Sequence, residues 1–446
     1  MIYKQSNYNV EIEALNDGRK LMYNTFTGIF GIMDLKTQTL LADIENINDC
    51  EVSKSIDVLF KAGYVINADK DELATIKLER TKARYGSNYL TLTIAPTLDC
   101  NMCCSYCYED RDRLVMSKET QKQLVDFVAV HIDANPSIEH ISVVWYGGEP
   151  LMQKDTIYSL TEEFINLCGE KNLQYSSSII TNGILLDAET AKKLSEDCKV
   201  KHVQITIDGM KELHNRRRML PCGGDSFDII TNNIDATKDY FSITVRVNVD
   251  KENIGDIDNL SRYFLEEKAW SSNPVFYLAP VYNFERSCLI ESSNCLQGEE
   301  FAEIDIKCVR ALYANNRDII ASRFFPRRRP FFCNGEVALN YVIGPDGSIY
   351  NCYAHMGKKN QRTGRVDKPF LVTSEYGKWL LGDIHIKCEQ CKFLPMCMGG
   401  CMLFRVTDDG TPECFRTVYV YKDILKLAYE DYIIRQQTKQ KVDADK

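Results

Sequence analysis

The chain has 446 residues, 44% hydrophobic and 26% charged, which is a globular balance with room for about two to four folding units. Its formal net charge of −9, from 54 Lys and Arg against 63 Asp and Glu, argues against nucleic acid as a partner. Mean hydropathy is −0.29, no apolar run approaches the roughly 18 residues of a membrane helix, and the opening MIYKQSNYNVEIEALNDGRK is too polar for a secretory signal, so a cytoplasmic protein with no membrane partner is expected.

Residues 1–85 read as short strands and two short helical segments. Tyr8, Val10 and Ile12 alternate as in a half-buried strand, and Leu21, Met22 and Tyr23 precede a turn at 24–28. Segment 51–63 places Ile56, Val58, Leu59 and Phe60 before Gly63, as a helix and its stop would, and 64–66 reads as a further strand. A charged connector, DKDELATIKLERTKARYGS, follows. From 86 to 285 strand candidates 89–94, 141–146, 178–180, 203–207, 243–249 and 275–278 alternate with helical segments such as 118–132 and 157–168. Alternating β and α units imply a parallel sheet, and six of them suggest a partial (β/α)6 TIM-like barrel with its chemistry at the carboxyl ends of the strands. From 286 to about 416 the chain reads as loop-rich and cysteine-rich, a bridging region, 286–332, leading into a further domain, 333–416. Residues 417–436 then read as an amphipathic helix, and the last ten residues as a solvated tail.

The chain holds 18 cysteines. A long chain without a secretory signal buries a core without disulfide staples, so reduced thiolates serving as metal ligands are the better reading. After the first barrel strand, TLTIAPTLDCNMCCSYCYED sets Cys100, Cys104 and Cys107 at C-x3-C-x2-C. Three thiolates on one loop suit three irons of a cubane with the fourth iron open, and the position after a strand favours this over a zinc site. Tyr106 fits an aromatic ring against such a cluster, and Cys103 a spare thiol.

These residues resemble the radical S-adenosylmethionine superfamily, and three further segments carry the resemblance. Gly147-Gly148-Glu149-Pro150 ends the second strand, where the family's GGE motif holds the methionyl amine of S-adenosylmethionine. Glycines admit a backbone close to a ligand and Glu149 offers an acceptor for an ammonium; read alone, the segment is also a good turn. Thr181-Asn182-Gly183 stands where the family contacts the ribose or lines the pocket. VQITIDGMKELHNRRR resembles the family's S-x-D-G-x-x-x-x-H-D-x-x-R segment, with Thr206 for Ser and Asn215 for Asp, and with Asp208, His214 and Arg218 matching. The resemblance implies cofactor contacts from Tyr106, Gly147, Gly148, Glu149, Thr181, Asn182, Thr206, Asp208 and Arg218, with the arginine near the cofactor carboxylate. The plain alternatives are a turn at Asp208-Gly209 and a solvated basic run at 216–218. Arg246 and Asn248 share a face by alternation; pocket and structural roles are both open. The implied chemistry is reductive cleavage of S-adenosylmethionine to a 5′-deoxyadenosyl radical, which abstracts a hydrogen atom.

The second constellation resembles the seven-cysteine SPASM domain at every spacing: Cys333-x13-Gly347-x4-Cys352, Cys388-x2-Cys391-x5-Cys397-x3-Cys401, and Cys414. The resemblance implies two auxiliary [4Fe–4S] clusters, hence three clusters in all. Cys388, Cys391, Cys397 and Cys414 would hold the distal one and Cys333, Cys352 and Cys401 the proximal one. The fourth proximal ligand is Cys308, or an open iron able to take a substrate thiolate.

Two branches of the family compete. Anaerobic sulfatase-maturating enzymes use an Asp directly after the second SPASM cysteine as a base, and Tyr353 stands there. Maturases of ribosomally synthesised, post-translationally modified peptides carry an N-terminal winged-helix-like recognition domain, which residues 1–85 resemble, with strands near 8–14, 20–24 and 28–33. The reading is therefore an enzyme that binds a precursor peptide through its leader by adding a strand to that sheet. It would install a crosslink, a Cys thioether as first choice, with flavodoxin or ferredoxin as external reductant. Sulfatase-type oxidation to formylglycine and a non-enzymatic iron–sulfur electron carrier or scaffold are the alternatives.

Overall fold

The computed structural model describes residues 2–46, 53–109, 112–281, 294–296, 298–407, 412 and 414–444. Cys50 and Cys288, read as spare thiols, lie outside them. The chain forms two compact units. The first combines Met1–Arg84, Gly298–Cys333 and Asp383–Lys446; the second combines Tyr85–Gln297 and Asn334–Gly382.

In the first unit, β1 (Tyr3–Gln5) pairs antiparallel with β5 (Val65–Asn67). Strands β2 (Asn9–Ala14), β3 (Lys20–Asn24) and β4 (Ile29–Met33) form an antiparallel sheet in that order, as the alternation at Tyr8, Val10 and Ile12 predicts. The turn between β3 and β4 is organised by buried Asn24. Its Oδ1 accepts the backbone N–H groups of Phe26 and Thr27 at 3.0 and 2.8 Å, and its Nδ2 donates to the Gly63 carbonyl at 2.8 Å. Helices α1 (Leu35–Ala42) and α2 (Ser53–Ala62) follow, α1 capped by Asp34, whose carboxylate accepts from the Thr37 N–H. Val10, Ile12, Leu21 and Tyr23 share one apolar cluster with Met396, Tyr421 and Leu425, so the N-terminal sheet and the C-terminal helix bury a common core.

Three segments depart from the sequence expectation. The charged connector is largely the helix α3 (Glu72–Tyr85). Its buried face holds Ile76 but also Glu72, Arg80 and Arg84, and Glu72 accepts from the Ser6 hydroxyl at 2.7 Å and the Asn7 N–H at 2.9 Å. A core-facing stripe built from paired charged groups leaves no apolar period to read. The cysteine-rich region is preceded by an 18-residue helix, Gly298–Asn315, with Phe301, Ala302, Asp305, Cys308, Val309 and Leu312 buried at helical spacing. The final helix runs from Thr417 to Ala444, through most of the expected tail. Once its first turns pack, lengthening by Lys, Gln and Arg costs little.

The second unit is the α/β part. Strands β6 (Tyr89–Ile94), β8 (His140–Trp145), β9 (Gln174–Thr181), β10 (Val200–Thr206), β12 (Ser242–Val249) and β13 (Val275–Pro280) pair parallel in chain order. The short β7 (Cys103–Cys104) and β11 (Arg218–Met219) pair antiparallel to each other. Helices α4 (Lys118–Ala134), α5 (Lys154–Lys171), α6 (Ala188–Glu196), α7 (Lys211–Arg217), α8 (Ser226–Thr237) and α9 (Ile257–Arg262) intervene. Among the described residues β13 pairs only with β12, so the barrel is open at that edge. At the other edge β14 (Asn340–Ile343) pairs parallel with β6, followed by antiparallel β15 (Ser348–Tyr350) and β16 (Gly364–Arg365).

Alternation divides the barrel strands between two environments. Leu90, Leu92 and Ile94 on β6, and Ile141, Val143 and Trp145 on β8, are buried, while Thr91, Thr93 and Ser142 between them are partly accessible. The same alternation puts Gln204, Arg246 and Asn248 on the more accessible face. No helix among the described residues is long and apolar enough to cross a membrane. Leu92 is fully buried, so Leu92→Ala should lower unfolding free energy by about 3 kcal/mol, measured by chemical denaturation.

Candidate functional site

A cavity of about 210 Å³ opens at the carboxyl ends of the barrel strands. Each strand contributes where it ends. The loop after β6 brings Cys100, Met102, Cys104, Tyr106, Cys107, Tyr108 and Glu109; β8 brings Tyr146, Gly147 and Gly148; β9 brings Ile180, Thr181 and Asn182. Gln204 and Thr206 come from β10, Arg246 and Asn248 from β12, Pro280 and Val281 from the end of β13. Arg218 and Tyr353 complete the lining.

The three cysteines of the first constellation are therefore brought to one wall. Burial, with Glu149 and Cys104 adding to it, pushes the Cys100 thiol up to about 12, and its sulfur accepts from Asn182 Nδ2 at 3.8 Å. Among the described residues no three Cys, His, Asp or Glu side chains converge closely enough to share a single metal ion. A cubane asks for a wider spread, because each thiolate takes its own iron.

The two glycines leave no room for a side chain. A Cβ on Gly147, whose φ is +115°, meets the Thr97 carbonyl at 2.3 Å; one on Gly148 meets the Asp99 carbonyl at 2.3 Å. The cysteine loop thus packs backbone to backbone against the end of β8. Glu149 does not line the cavity. It is fully buried, its Oε1 accepting from Leu151 N at 3.0 Å and Thr181 Oγ1 at 2.7 Å, and its Oε2 from Asn182 N at 2.7 Å. Burial raises its pKa against those three donors. As placed, Glu149 ties the end of β8 to the end of β9.

Asp208 acts in the same way for the other wall. It is fully buried, accepts the Tyr106 hydroxyl, accepts Asn248 N at 2.8 Å, and stands 3.7 Å from Arg218. Arg218 in turn donates to the Tyr106 oxygen at 2.6 Å, and Asn248 Nδ2 to the same oxygen at 3.2 Å. The segment 216–218 is not one solvated run: Arg217 is buried and makes a two-pronged bond to Asp250 at 2.9 Å, whereas Arg216 is exposed. His214 is buried, its Nδ1 accepting from Asp208 N at 3.3 Å. Asp208-Gly209 is thus a knot of the site rather than a simple turn.

Sequence reasoning did not single out Tyr108, Glu109, Tyr146 and Gln204. Tyr108 and Tyr146 hydrogen-bond through their hydroxyls, and the Tyr146 and Tyr353 rings lie 5.4 Å apart. Burial pushes the Glu109 carboxyl up to about 6, with Tyr146 and Lys358 opposing. Gln204, two residues before Thr206 on β10, was available from alternation alone.

The expected auxiliary ligands fall in both units. Cys388, Cys391, Cys397 and Cys414 gather in the first: burial pushes the Cys388 thiol up to about 11, followed by the neighbouring charges of Cys397, Cys391 and Cys414. Backbone N–H groups of Phe415, Gly400 and Gly399 point at Cys397. Cys333 and Cys401 also belong to the first unit and Cys352 to the second. Cys308 lies on the buried stripe of its helix.

An open parallel barrel with three cysteines and a glycine-floored cavity at its strand ends is the architecture of an enzyme built around a cofactor. Residues 94–264 match the family model of the radical SAM superfamily. The cysteine-type anaerobic sulfatase-maturating enzyme of Clostridium perfringens is 25% identical over 363 residues, 76% of this chain and 96% of that one. An uncharacterised protein of Archaeoglobus fulgidus is 30% identical over 354 residues, 75% of this chain and 79% of its own. Streptococcus suis SuiB, solved bound to its precursor peptide SuiA, has the same fold with a TM-score of 0.52 at 16% identity, over 93% of this chain and 99% of that one. The chain belongs to the radical SAM superfamily, and it is an enzyme; membership brings S-adenosylmethionine and a [4Fe–4S] cluster as cofactors.

Two predictions follow from this geometry. Gly148→Ala drives a methyl into the Asp99 carbonyl, so S-adenosylmethionine binding, measured by equilibrium dialysis, should fall below detection while the fold stays largely helical and stranded by circular dichroism. Burial holds the His214 imidazole well below its usual 6.5. Its neutral form is the folded one, so its contribution is complete above pH 6.5 and is lost as pH falls below that value. Wild-type melting temperature should drop on acidification from pH 7 to 5, and His214→Gln should flatten that dependence.

Proposed function

We propose that this enzyme modifies a residue of a peptide or protein substrate, and that the substrate is a precursor peptide held through its leader by the N-terminal sheet. The observation that carries the reading is the cavity: three cysteines, a glycine floor and a polar inner face meet at the strand ends in one chamber. In this reading Cys100, Cys104 and Cys107 hold the radical cluster. Gly147, Gly148, Thr181, Asn182, Thr206 and Arg218 surround S-adenosylmethionine, while Tyr106, Glu149 and Asp208 position them. When bound, the cluster and S-adenosylmethionine supply one-electron chemistry able to remove hydrogen from a carbon. The chain's own residues orient the reactants, and the buried Tyr106–Asp208–Arg218 network keeps the cysteine loop in register with the strand ends.

Cys388, Cys391, Cys397 and Cys414 suit a distal auxiliary cluster, and Cys333, Cys352 and Cys401 a proximal one, with Cys308 or an open iron as fourth site. The product proposed is a Cys thioether. The peptide-binding part rests on the three-stranded sheet. β4 pairs only with β3 among the described residues, and Ile29 on it is exposed. SuiB supports it as a protein of like fold whose N-terminal region this chain also covers and which binds a precursor peptide.

The sequence relatives favour a second reading, oxidation of a Cys or Ser to formylglycine. Tyr353 stands where those enzymes are expected to carry an Asp, but Glu109 places a carboxylate in the same chamber.

The reading is tested in two steps. With S-adenosylmethionine and dithionite under anaerobic conditions, the full chain should release 5′-deoxyadenosine, and Cys100→Ala/Cys104→Ala/Cys107→Ala should release none; cleavage by the triple variant overturns the assignment. A fluorescent precursor peptide encoded beside the gene should bind wild type, and Ile29→Asp should weaken it roughly tenfold. Point substitution is preferable to removing residues 1–85, which would uncover the core shared with Tyr421 and Leu425. Mass spectrometry of the product separates the two reactions: a thioether resists fragmentation between the linked residues, whereas formylglycine reacts with a hydrazide.

A further inference from the structure

The run 388–401 contains a turn that faces its own cysteines. Met398, Gly399 and Gly400 follow one another with φ of +53°, +84° and +75°. A turn that lines up successive backbone N–H groups makes a concavity for an anion. Here the N–H groups of Gly399 and Gly400 meet the Cys397 sulfur, joined by that of Phe415. Met398 is not a glycine, so its left-handed backbone needs support from packing. It has that support: its side chain is buried in one apolar cluster with Tyr8, Phe26, Ile76, Ile384 and Leu394. The turn is thereby held against the N-terminal sheet.

A cation stands at the same turn. Arg405, on the short helix Met402–Thr407, donates from Nη1 to the Asp383 carbonyl at 3.1 Å and from Nη2 to the Gly400 carbonyl at 3.4 Å. Those two bonds fix where the guanidinium lies. A Cβ built on Gly399 would stand 3.6 Å from Arg405 Nη1 and 4.0 Å from Cys388 Sγ. Guanidinium and sulfur thus border the same point, closer together than the Debye length of about 8 Å at physiological ionic strength. Arg405 accordingly opposes the upward shift that burial and the neighbouring cysteines impose on the Cys388 thiol. An arginine keeps its proton, so this charge is permanent. Four thiolates around an iron–sulfur core make an anion, and reduction adds a further negative charge. A fixed cation beside the ligands favours the more anionic form, whatever other charges lie near it. The N–H groups aimed at Cys397 act in the same direction.

We propose that Arg405 is a positioning residue of the distal group, its charge raising the reduction potential of a [4Fe–4S] cluster held by Cys388, Cys391, Cys397 and Cys414. The inference rests on the auxiliary-cluster reading given above and not on the peptide or its product.

The test is a redox titration of the full-length, cluster-loaded protein, followed by electron paramagnetic resonance, with iron counted in every sample. Cys388→Ala/Cys391→Ala should lose iron, and the signal it loses marks the distal cluster. Arg405→Gln should keep its iron and shift that signal about tenfold toward the oxidised form at a given potential, which is about 59 mV lower for one electron. Arg405→Lys keeps the charge without the planar fork and should stay near wild type. The remaining signals should not move in either variant. An unshifted potential in Arg405→Gln overturns the inference. So does an equal shift in Arg405→Gln and Arg405→Lys, which marks a purely structural role for the two carbonyl bonds. If Arg405→Gln loses its iron, Arg405→Lys decides: iron held at the wild-type potential supports the charge, and iron lost or the potential lowered overturns it. If Cys388→Ala/Cys391→Ala loses no iron, the auxiliary-cluster reading fails and takes the inference with it; that failure is read in the iron count and not in the potential.

Discussion

The carboxylate of Asp208 is the point on which the barrel mouth depends. It lies beyond the end of β10 with no exposed surface and joins three separate stretches of chain: Tyr106 from the cysteine loop, the backbone N–H of Asn248 on β12, and Arg218. A buried carboxylate is tolerated only where donors meet it, and here the donors are the site. The cysteine loop has little regular structure of its own, so this knot and the glycine floor hold it. Glu149 repeats the device on the opposite wall, joining β8 to β9 through Thr181 and Asn182. Two acidic residues that resemble cofactor contacts in the sequence are, as placed, the braces behind the lining.

That division of labour has a simple origin. In a parallel sheet with helices on one side, alternate residues point into apolar packing and the others away from it. Leu90, Leu92 and Ile94 are fully buried, while Gln204, Arg246 and Asn248 line the chamber. A filled barrel would place apolar layers there. Polar side chains stand there instead, and Arg218 and Arg246 have unlike surroundings: Asp208 lies 3.7 Å from Arg218, whereas among the described residues Arg246 meets Asn248 and Tyr277.

The cysteines separate along similar lines. Those on one loop, or within one run such as 388–401, are brought near one another by local chain geometry. Burial and then the neighbouring Cys397, Cys391 and Cys414 raise the Cys388 thiol, and backbone N–H groups face Cys397. Cys168 and Cys198 are instead buried, with thiols raised to about 11 by burial. Low thiolate character fits inert core residues.

How much was legible in the sequence depended on whether the signal was local. The six barrel strands, the three-stranded N-terminal sheet and the cysteine spacings are periodic or contiguous, and they could be read directly. The helix at Gly298–Asn315 was equally periodic, but the density of cysteines around it invited a loop reading. Helix α3 was hidden because its inner face carries the charged Glu72, Arg80 and Arg84, and the partners of Glu72 and Arg80, Ser6 and Asp383, are distant in sequence. The sequence by itself determined the class of chemistry, because three cysteines on one loop, the GGEP turn and the Asp208 segment carry their meaning in spacing. Only the tertiary structure decided which acidic residues line the cavity and which brace it, which arginine of the chamber stands beside Asp208, and that residues 1–84 share a core with the C-terminal helix. Those are questions of which groups face one another, and pairing across more than a hundred residues leaves no trace in local pattern.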